Sequence, residues 1–542
     1  MINSEMLAIA KELVQTPSIN STPGEKMIGL KIEKLLRDMP YFQKHPELVF
    51  VKVMDNDALE RRSVMALLIG EKSDSKKTLI FHGHTDTVGL EGFGTLEPYA
   101  FDPDVLIEKM KEVSLPAEVL EDLKSGDYMF GRGACDMKSG DAVFLGLIKE
   151  LSKHPEELDG NILVSFNPVE ETGHFGIIDA LQTIIDIRDK YNLEYVLAVN
   201  NDYICPLYKG DPLKTIYTGV VGKAAPCFYI QGKETHVGQV YEGLDASFMA
   251  AKLVEEINFN RNYSDNFEGE WTYPPSVLKM RDLKPWYNVQ TPKDAFLLFH
   301  YSIHNKSIKD ITEQMKAAAL KVFKETVAHV NSEFEWFCQK SGQEYKPYSY
   351  KENIFSYDEL KTLAKANPEF SETKLDCIMK EEQKKGTELR EIPLPMIKYL
   401  LQTANITDPA IVVFYATPFC PHNTMQKEDS HFIDELKAIA EKTEKETGDK
   451  FRFMKFFQSL SDSSYFKCDD DEESLNSIRT NYPGFDIVAP MGIEKIKQLN
   501  VPTVNYGCYG KDAHKWTERV NLPYTFEVLP VLLMNTIDYY LR

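Results

Sequence analysis

Residues 77–89 read "KTLIFHGHTDTVG". The first half is apolar and predicts a strand, and the second half places His82, His84 and Asp86 where that strand leaves the core. A polar loop capping a strand is one reading. A metal site is the other, because imidazole nitrogen and carboxylate oxygen are ligands that zinc accepts. Partners elsewhere in the chain decide between them.

Four further clusters follow in order: "GRGACDMKSG" (131–140), "PVEETG" (168–173), "NNDY" (200–203) and "KDAHKWTE" (511–518). Taken singly, each has an ordinary explanation as a turn, a cap or a surface pair. The chain around them alternates short apolar runs such as "VMALLIG", "NILVSFN" and "YVLAVN" with helical stretches such as "DAVFLGLIKELSKH". That rhythm predicts an α/β layered sheet with partly parallel strands. The polar strand ends then share the crevice in which open α/β sheets bind ligands. Residues 22–39 carry Thr22, Pro23 and Glu25 as a capping box before a helix.

The bulk properties narrow the class. A chain of 542 residues, 43% hydrophobic and 27% charged, is globular and long enough for two or three domains. Its net charge of −21 argues against nucleic-acid or anionic-membrane partners. The N-terminal residues lack the basic start and apolar run of a signal peptide, and no window reads as a membrane span. The eight cysteines form no C-x-x-C pair. A cytoplasmic location is expected.

Beyond Gly222 the pattern changes to antiparallel strand pairs, a helix, the strand "AFLLFHYSIH" and the helix "KDITEQMKAAALKVFKETVAHV". This predicts a small α+β domain over 223–332 with helices on one sheet face. Residues 1–222 and 333–542 are assigned to the larger domain, with about 333–450 as an insertion. The acidic run "CDDDEES" reads as a solvated loop, and His422 as structural.

The five ordered clusters resemble the co-catalytic zinc metallopeptidase family of carboxypeptidase G, the bacterial tripeptidase and succinyl-diaminopimelate desuccinylase. The resemblance spans about 1–331 and 451–542. It implies a zinc-peptidase-like α/β catalytic domain with an inserted α+β lid or dimerisation domain. It also implies two divalent ions per chain, zinc above all, with cobalt or manganese compatible with the ligand types. By motif match Asp136 bridges the ions, His84 and Asp202 hold one, and Glu171 and His514 hold the other. Asp86 is expected to accept the second ring N–H of His84. Glu170 is the expected general base, taking the proton of a metal-activated water that attacks an amide carbonyl.

"GKETHVGQ" resembles the family's lid motif. That makes His236 a candidate donor to the developing oxyanion, supplied across a homodimer in dimeric members, with Asn288 a weaker candidate for contacting substrate. The strand "FLLFHYSIHNKS" carries His300 and His304 where many relatives have Asp-x-Arg, and Arg281 is not assigned that role. The long segment between "GHTD" and "GRGACD" is enlarged and expected to shape specificity.

These residues predict a two-metal amidohydrolase, either a peptidase or an N-acyl amino acid deacylase. The extra length and "GKDAHKWTERV" resemble a branch linked to arginine utilisation. A non-catalytic metal- or ligand-binding relative and a metal-dependent esterase are the alternative readings.

Overall fold

The computed structural model describes residues 3–426, 429–458, 460–488 and 490–541. Two compact units emerge: Met1–Val221 with His422–Asp469 and Gly492–Arg542, and Gly222–Pro421 with Asp470–Met491.

The first unit is built on an eight-stranded mixed sheet. Its strand order is Val49–Val53, Arg62–Ile69, Asn161–Asn167, Lys77–His84, Glu194–Asn200, Thr503–Asn505, Lys214–Tyr217, Phe451–Met454. Lys77–His84 runs parallel to both its neighbours, and the first two strands are antiparallel. All of Asn161–Asn167 and all but the first residue of Lys77–His84 are buried. Both faces of these strands are therefore covered, which explains continuous apolar runs in place of alternation. From the helix Ser139–Leu151, Phe144 stacks on Phe81 with ring centroids 4.8 Å apart. The register sets His84 opposite Asn167 and His82 opposite Asn200. The loops leaving these three strand ends begin side by side.

Two local expectations change in detail. The helix Gly24–Arg37 starts without a reciprocal capping box: Thr22 Oγ1 accepts from Gly24 N, while the Glu25 carboxylate accepts from Ser21 N. Pro23 at the cap moves both contacts by one residue. The enlarged segment between the first two motifs contains the helices Pro103–Met110 and Ala117–Ser125. Phe93, Leu96, Leu106, Met110, Val119 and Phe130 form a small apolar core there.

The second unit holds a five-stranded sheet in the order Ser276–Asp282, Asp294–Ile303, Gly222–Gln231, Ala410–Cys420, Asn353–Ser356. All pairs are antiparallel except the last. The helix expected from "KDITEQM" runs on to Ser341, opened by a reciprocal Ser307–Asp310 capping box. The region expected as an insertion in the larger domain is divided, with residues 333–421 in this second unit. The physical reason is Ala410–Cys420, whose apolar residues pair with Gly222–Gln231 along most of its length. The helices Tyr357–Lys365, Glu372–Lys385 and Pro393–Thr403 pack on the face presenting Cys227, Tyr229, Phe296 and Val412. Ala246–Ile257 and the long helix contact the sheet outside that cluster. Helices thus cover both faces, where the sequence predicted one. The acidic run contributes a helix cap, since Asp471 accepts from Ser474 N at 2.7 Å. No described helix is long and apolar enough to cross a membrane.

Candidate metal centre

The centre forms at the strand ends of the first unit. His84 is the last residue of its strand, and its Nδ1 lies 3.1 Å from the backbone carbonyl of Asp86. A carbonyl only accepts, so Nδ1 carries a proton and Nε2 is the ring atom turned toward the cluster. That Nε2 is 2.9 Å from Asp136 Oδ1 and 3.9 Å from Asp202 Oδ2. The other oxygen of Asp136 is 3.1 Å from His514 Nε2, which is also 3.1 Å from Glu171. The motifs from distant parts of the chain therefore meet around Asp136.

Asp86 does a different job from the one expected. Its carboxylate stands 3.7 Å from the His84 ring and accepts the backbone N–H groups of Glu170 (2.9 Å) and Glu171 (3.1 Å). It orients the Glu–Glu turn, while its carbonyl orients His84. Val169, just before that turn, has φ 68°, a left-handed conformation disfavoured for a β-branched residue at a cost of about 1–3 kcal/mol. His514 also has positive φ, 67°.

A buried ion pair clamps the arrangement. Glu518 Oε1 accepts the backbone N–H groups of Cys135 (3.0 Å) and Asp136 (3.2 Å), and Oε2 pairs with Arg132. Arg132 in turn donates to the carbonyls of His514 (3.1 Å) and Gly89 (3.0 Å). Asp122, from the enlarged segment, accepts from Arg519 (2.7 Å) and Lys511 (2.9 Å), bracing the same loop.

The donor set fits divalent cations. Ligand atoms of His84, Asp202 and Asp462 lie within 4.8 Å of one another, as do those of Asp136, Glu171 and His514. Burial, then the charges of Asp136 and Asp462, push the Asp202 pKa well above the carboxylate range. Burial, then Asp136, raise Glu171 to about 7. Burial opposes a charged His514, yet hydrogen bonds to Asp136 and Glu171 push it up to about 11. Crowded carboxylates that hold protons against water are groups a dication would stabilise as anions.

All five residues expected as ligands lie in these two clusters, and Glu170 falls in a third with Asp462 and His174, the latter 3.5 Å away. His236 belongs to the second unit. It is exposed, and its Nδ1 accepts from Gly238 N at 3.0 Å. Arg281 pairs with Glu391. Sequence reasoning missed Asp462, His174 and Glu518. His174 follows the Glu–Glu pair and Glu518 follows His514 at short spacing, so proximity was an available signal; "SDSS" around Asp462 carried none.

This fold, with its strand-end clusters of carboxylate and imidazole, is that of a metal-dependent hydrolase of amide or peptide bonds. The chain belongs to peptidase family M20/M25/M40, whose model matches residues 80–530. It is 35% identical over 545 residues to Protein RocB of Bacillus subtilis, covering 99% of this chain and 94% of that protein. Protein YqjN of the same organism is 32% identical over 543 residues, covering 99% and 96%. A solved tripeptidase from Staphylococcus aureus shares the fold at TM-score 0.52 and 14% identity, covering 99% of this chain and 98% of that one.

Proposed function

We propose that the first unit is the catalytic body of a two-metal amidohydrolase acting on small peptides or N-acyl amino acids. The observation that carries this reading is Asp136, with one oxygen toward His84 and the other toward His514. His84 and Asp202 would hold one ion, Glu171 and His514 the other, and Asp136 both. Zinc suits the oxygen and imidazole donors, with cobalt and manganese as substitutes. Bound there, the ions supply Lewis acidity toward the amide carbonyl and acidify the attacking water.

Glu170 accepts the water proton on its carboxylate and delivers it to the leaving nitrogen. Its neighbour Glu171 faces His514, and Asp86 holds both backbones, so one turn presents a base and a ligand together. A role for His236 as oxyanion donor rests on the lid-motif resemblance, as does a homodimer through the second unit. The Gly238 N–H occupying Nδ1 supports Nε2–H as the donating group. Similarity to RocB supports a substrate in arginine or related amino-acid utilisation, and the scattered cysteines support a cytoplasmic setting.

The test is hydrolysis by metal-loaded protein of a panel of dipeptides and N-acyl amino acids, including acylated arginine and ornithine. Turnover of an amide, abolished by chelation and restored by metal, is expected. Metal binding with no amide turnover across the panel would overturn the reading.

A further inference from the structure

Three consecutive side chains, Ser461, Asp462 and Ser463, enter the centre from a loop that belongs to none of the five motifs. Ser461 Oγ is 2.9 Å from His174 Nε2, and Ser463 Oγ is 3.0 Å from His82 Nε2. Between them, Asp462 Oδ2 accepts from Asn200 Nδ2 at 3.1 Å. Asn423 fixes the loop from behind by donating to the Ser463 carbonyl at 2.8 Å. Each serine thus docks on a different wall of the centre, so the carboxylate between them has little freedom to turn away.

Asp462 is 5% exposed, and its Oδ1 is buried with no hydrogen-bond partner among the described residues. An orphaned carboxylate oxygen in the interior is costly unless something electropositive meets it. The groups beside it are ligand atoms, since those of Asp462, His84 and Asp202 all lie within 4.8 Å of one another. Asn200 Nδ2 meets Oδ2, while Asn200 Oδ1 accepts from Asp202 N, which ties the Asp462 loop to the Asp202 strand end. Around it stand the imidazoles of His82, His84 and His174 and the carboxylates of Asp202 and Glu170, a mixture of metal-ligand types.

We propose that Asp462 is a further ligand of the cation held by His84 and Asp202. This rests on the two-metal reading and deepens it by making the two positions unequal. One position then offers an imidazole and three carboxylates, His84, Asp136, Asp202 and Asp462. The other offers His514, Asp136 and Glu171. The first accordingly favours a harder divalent ion of higher coordination number, such as Mn²⁺, relative to the second.

The experiment uses the full chain, stripped with chelator and titrated with Mn²⁺ and, separately, Zn²⁺. Bound metal is counted, and Mn²⁺ is followed by its paramagnetic resonance. The wild type is expected to take two ions. Asp462→Asn keeps the shape and the acceptor for Asn200, and is expected to weaken Mn²⁺ at one position more than about tenfold, the scale of lost ligand support. The other position keeps its affinity, and Zn²⁺ is affected less than Mn²⁺.

Thermal unfolding supplies a second readout. On adding Mn²⁺, the gain in Tm of Asp462→Asn over its own metal-free form should be smaller than the wild type's gain. Two Mn²⁺ bound with wild-type affinity would overturn the inference. So would a metal-free variant that is unfolded or melts lower while its Mn²⁺-linked gain is unchanged, which marks a structural aspartate. A wild type that binds no divalent ion overturns the two-metal reading itself, whatever the variant does.

Discussion

Asp136 turns its two carboxylate oxygens toward different histidines, Oδ1 to His84 at 2.9 Å and Oδ2 to His514 at 3.1 Å. These histidines are 430 positions apart in the chain, and no other carboxylate among the described residues has this pair of contacts. The relationship makes Asp136 unlike its neighbours. Asp136→Ala should remove most of both bound ions, because two dications would lose their shared counter-charge. Asp202→Ala should mainly weaken one. Elemental analysis of the purified variants checks this, and undiminished metal in Asp136→Ala would end the bridging assignment.

Glu170 and Glu171 are adjacent yet should behave differently. Glu170→Gln keeps the shape but cannot take a proton, so turnover should fall by at least about 100-fold with metal content near normal. Glu171→Gln should lose metal first, since its carboxylate faces His514. Rates and metal counts on the same preparations separate the two, and exchanged phenotypes would reverse the roles.

The Arg132–Glu518 pair is a single brace for two ligands, holding the Asp136 backbone on one side and the His514 carbonyl on the other. Arg132→Met leaves the Glu518 charge buried without its partner, a change that typically costs about 3–5 kcal/mol. Denaturant unfolding should show a loss of that order, and metal affinity should fall with it. A variant of unchanged stability would mean that Glu518 finds another partner.

His236→Ala should lower the turnover rate with little change in metal content, as expected of a donor to the developing oxyanion. Losing one such donor commonly costs about 2.7–4 kcal/mol in the transition state. If the donor acts across a dimer, mixing inactive His236→Ala and Glu170→Gln chains should restore partial activity. Verified subunit exchange without recovery would exclude action in trans.

His300, on the Asp294–Ile303 strand, has its pKa lowered to about 4 by burial and, secondarily, by Lys223. The unfolded chain protonates this ring near 6.5, before the folded chain does. Its contribution is therefore fully present above about pH 6.5 and lost as pH falls toward 4, by about 3 kcal/mol at most. His300→Gln should flatten that part of the stability profile relative to wild type. Parallel wild-type and variant curves between pH 6.5 and 4 would contradict it.

Much of the candidate centre was legible in sequence because the residues expected as ligands sit in motifs, most of them at strand ends. His84 closes a buried apolar run and Asp202 follows another, and the match of both to the family's ordered motifs singled them out from ordinary strand-end residues. The pairing of Glu170 with Glu171 and the order of the five clusters carried the family and the metal-dependent chemistry. Asp86 was recognised, but its work was not. Whether its carboxylate or its carbonyl meets His84 depends on the path of a turn after the strand, and the backbone N–H groups of Glu170 and Glu171 took the carboxylate.

Tertiary structure alone decided where the remaining segments go. Residues 333–390 are charged and weakly periodic, and the allegiance of 333–421 was set by Ala410–Cys420 adding to the sheet of the second unit; its apolar run "IVVFYA" reads locally as a strand, but which strand it pairs with is non-local. Asp462 is the same case within the centre. An aspartate between two serines in a polar stretch has the local chemistry of any surface loop. Only the docking of Ser461 on His174, Asp462 on Asn200 and Ser463 on His82 buries it among ligands. Local pattern determines which strands and motifs form, because burial periodicity is written residue by residue. Long-range contact determines which polar loop they enclose, because that depends on packing between segments hundreds of residues apart.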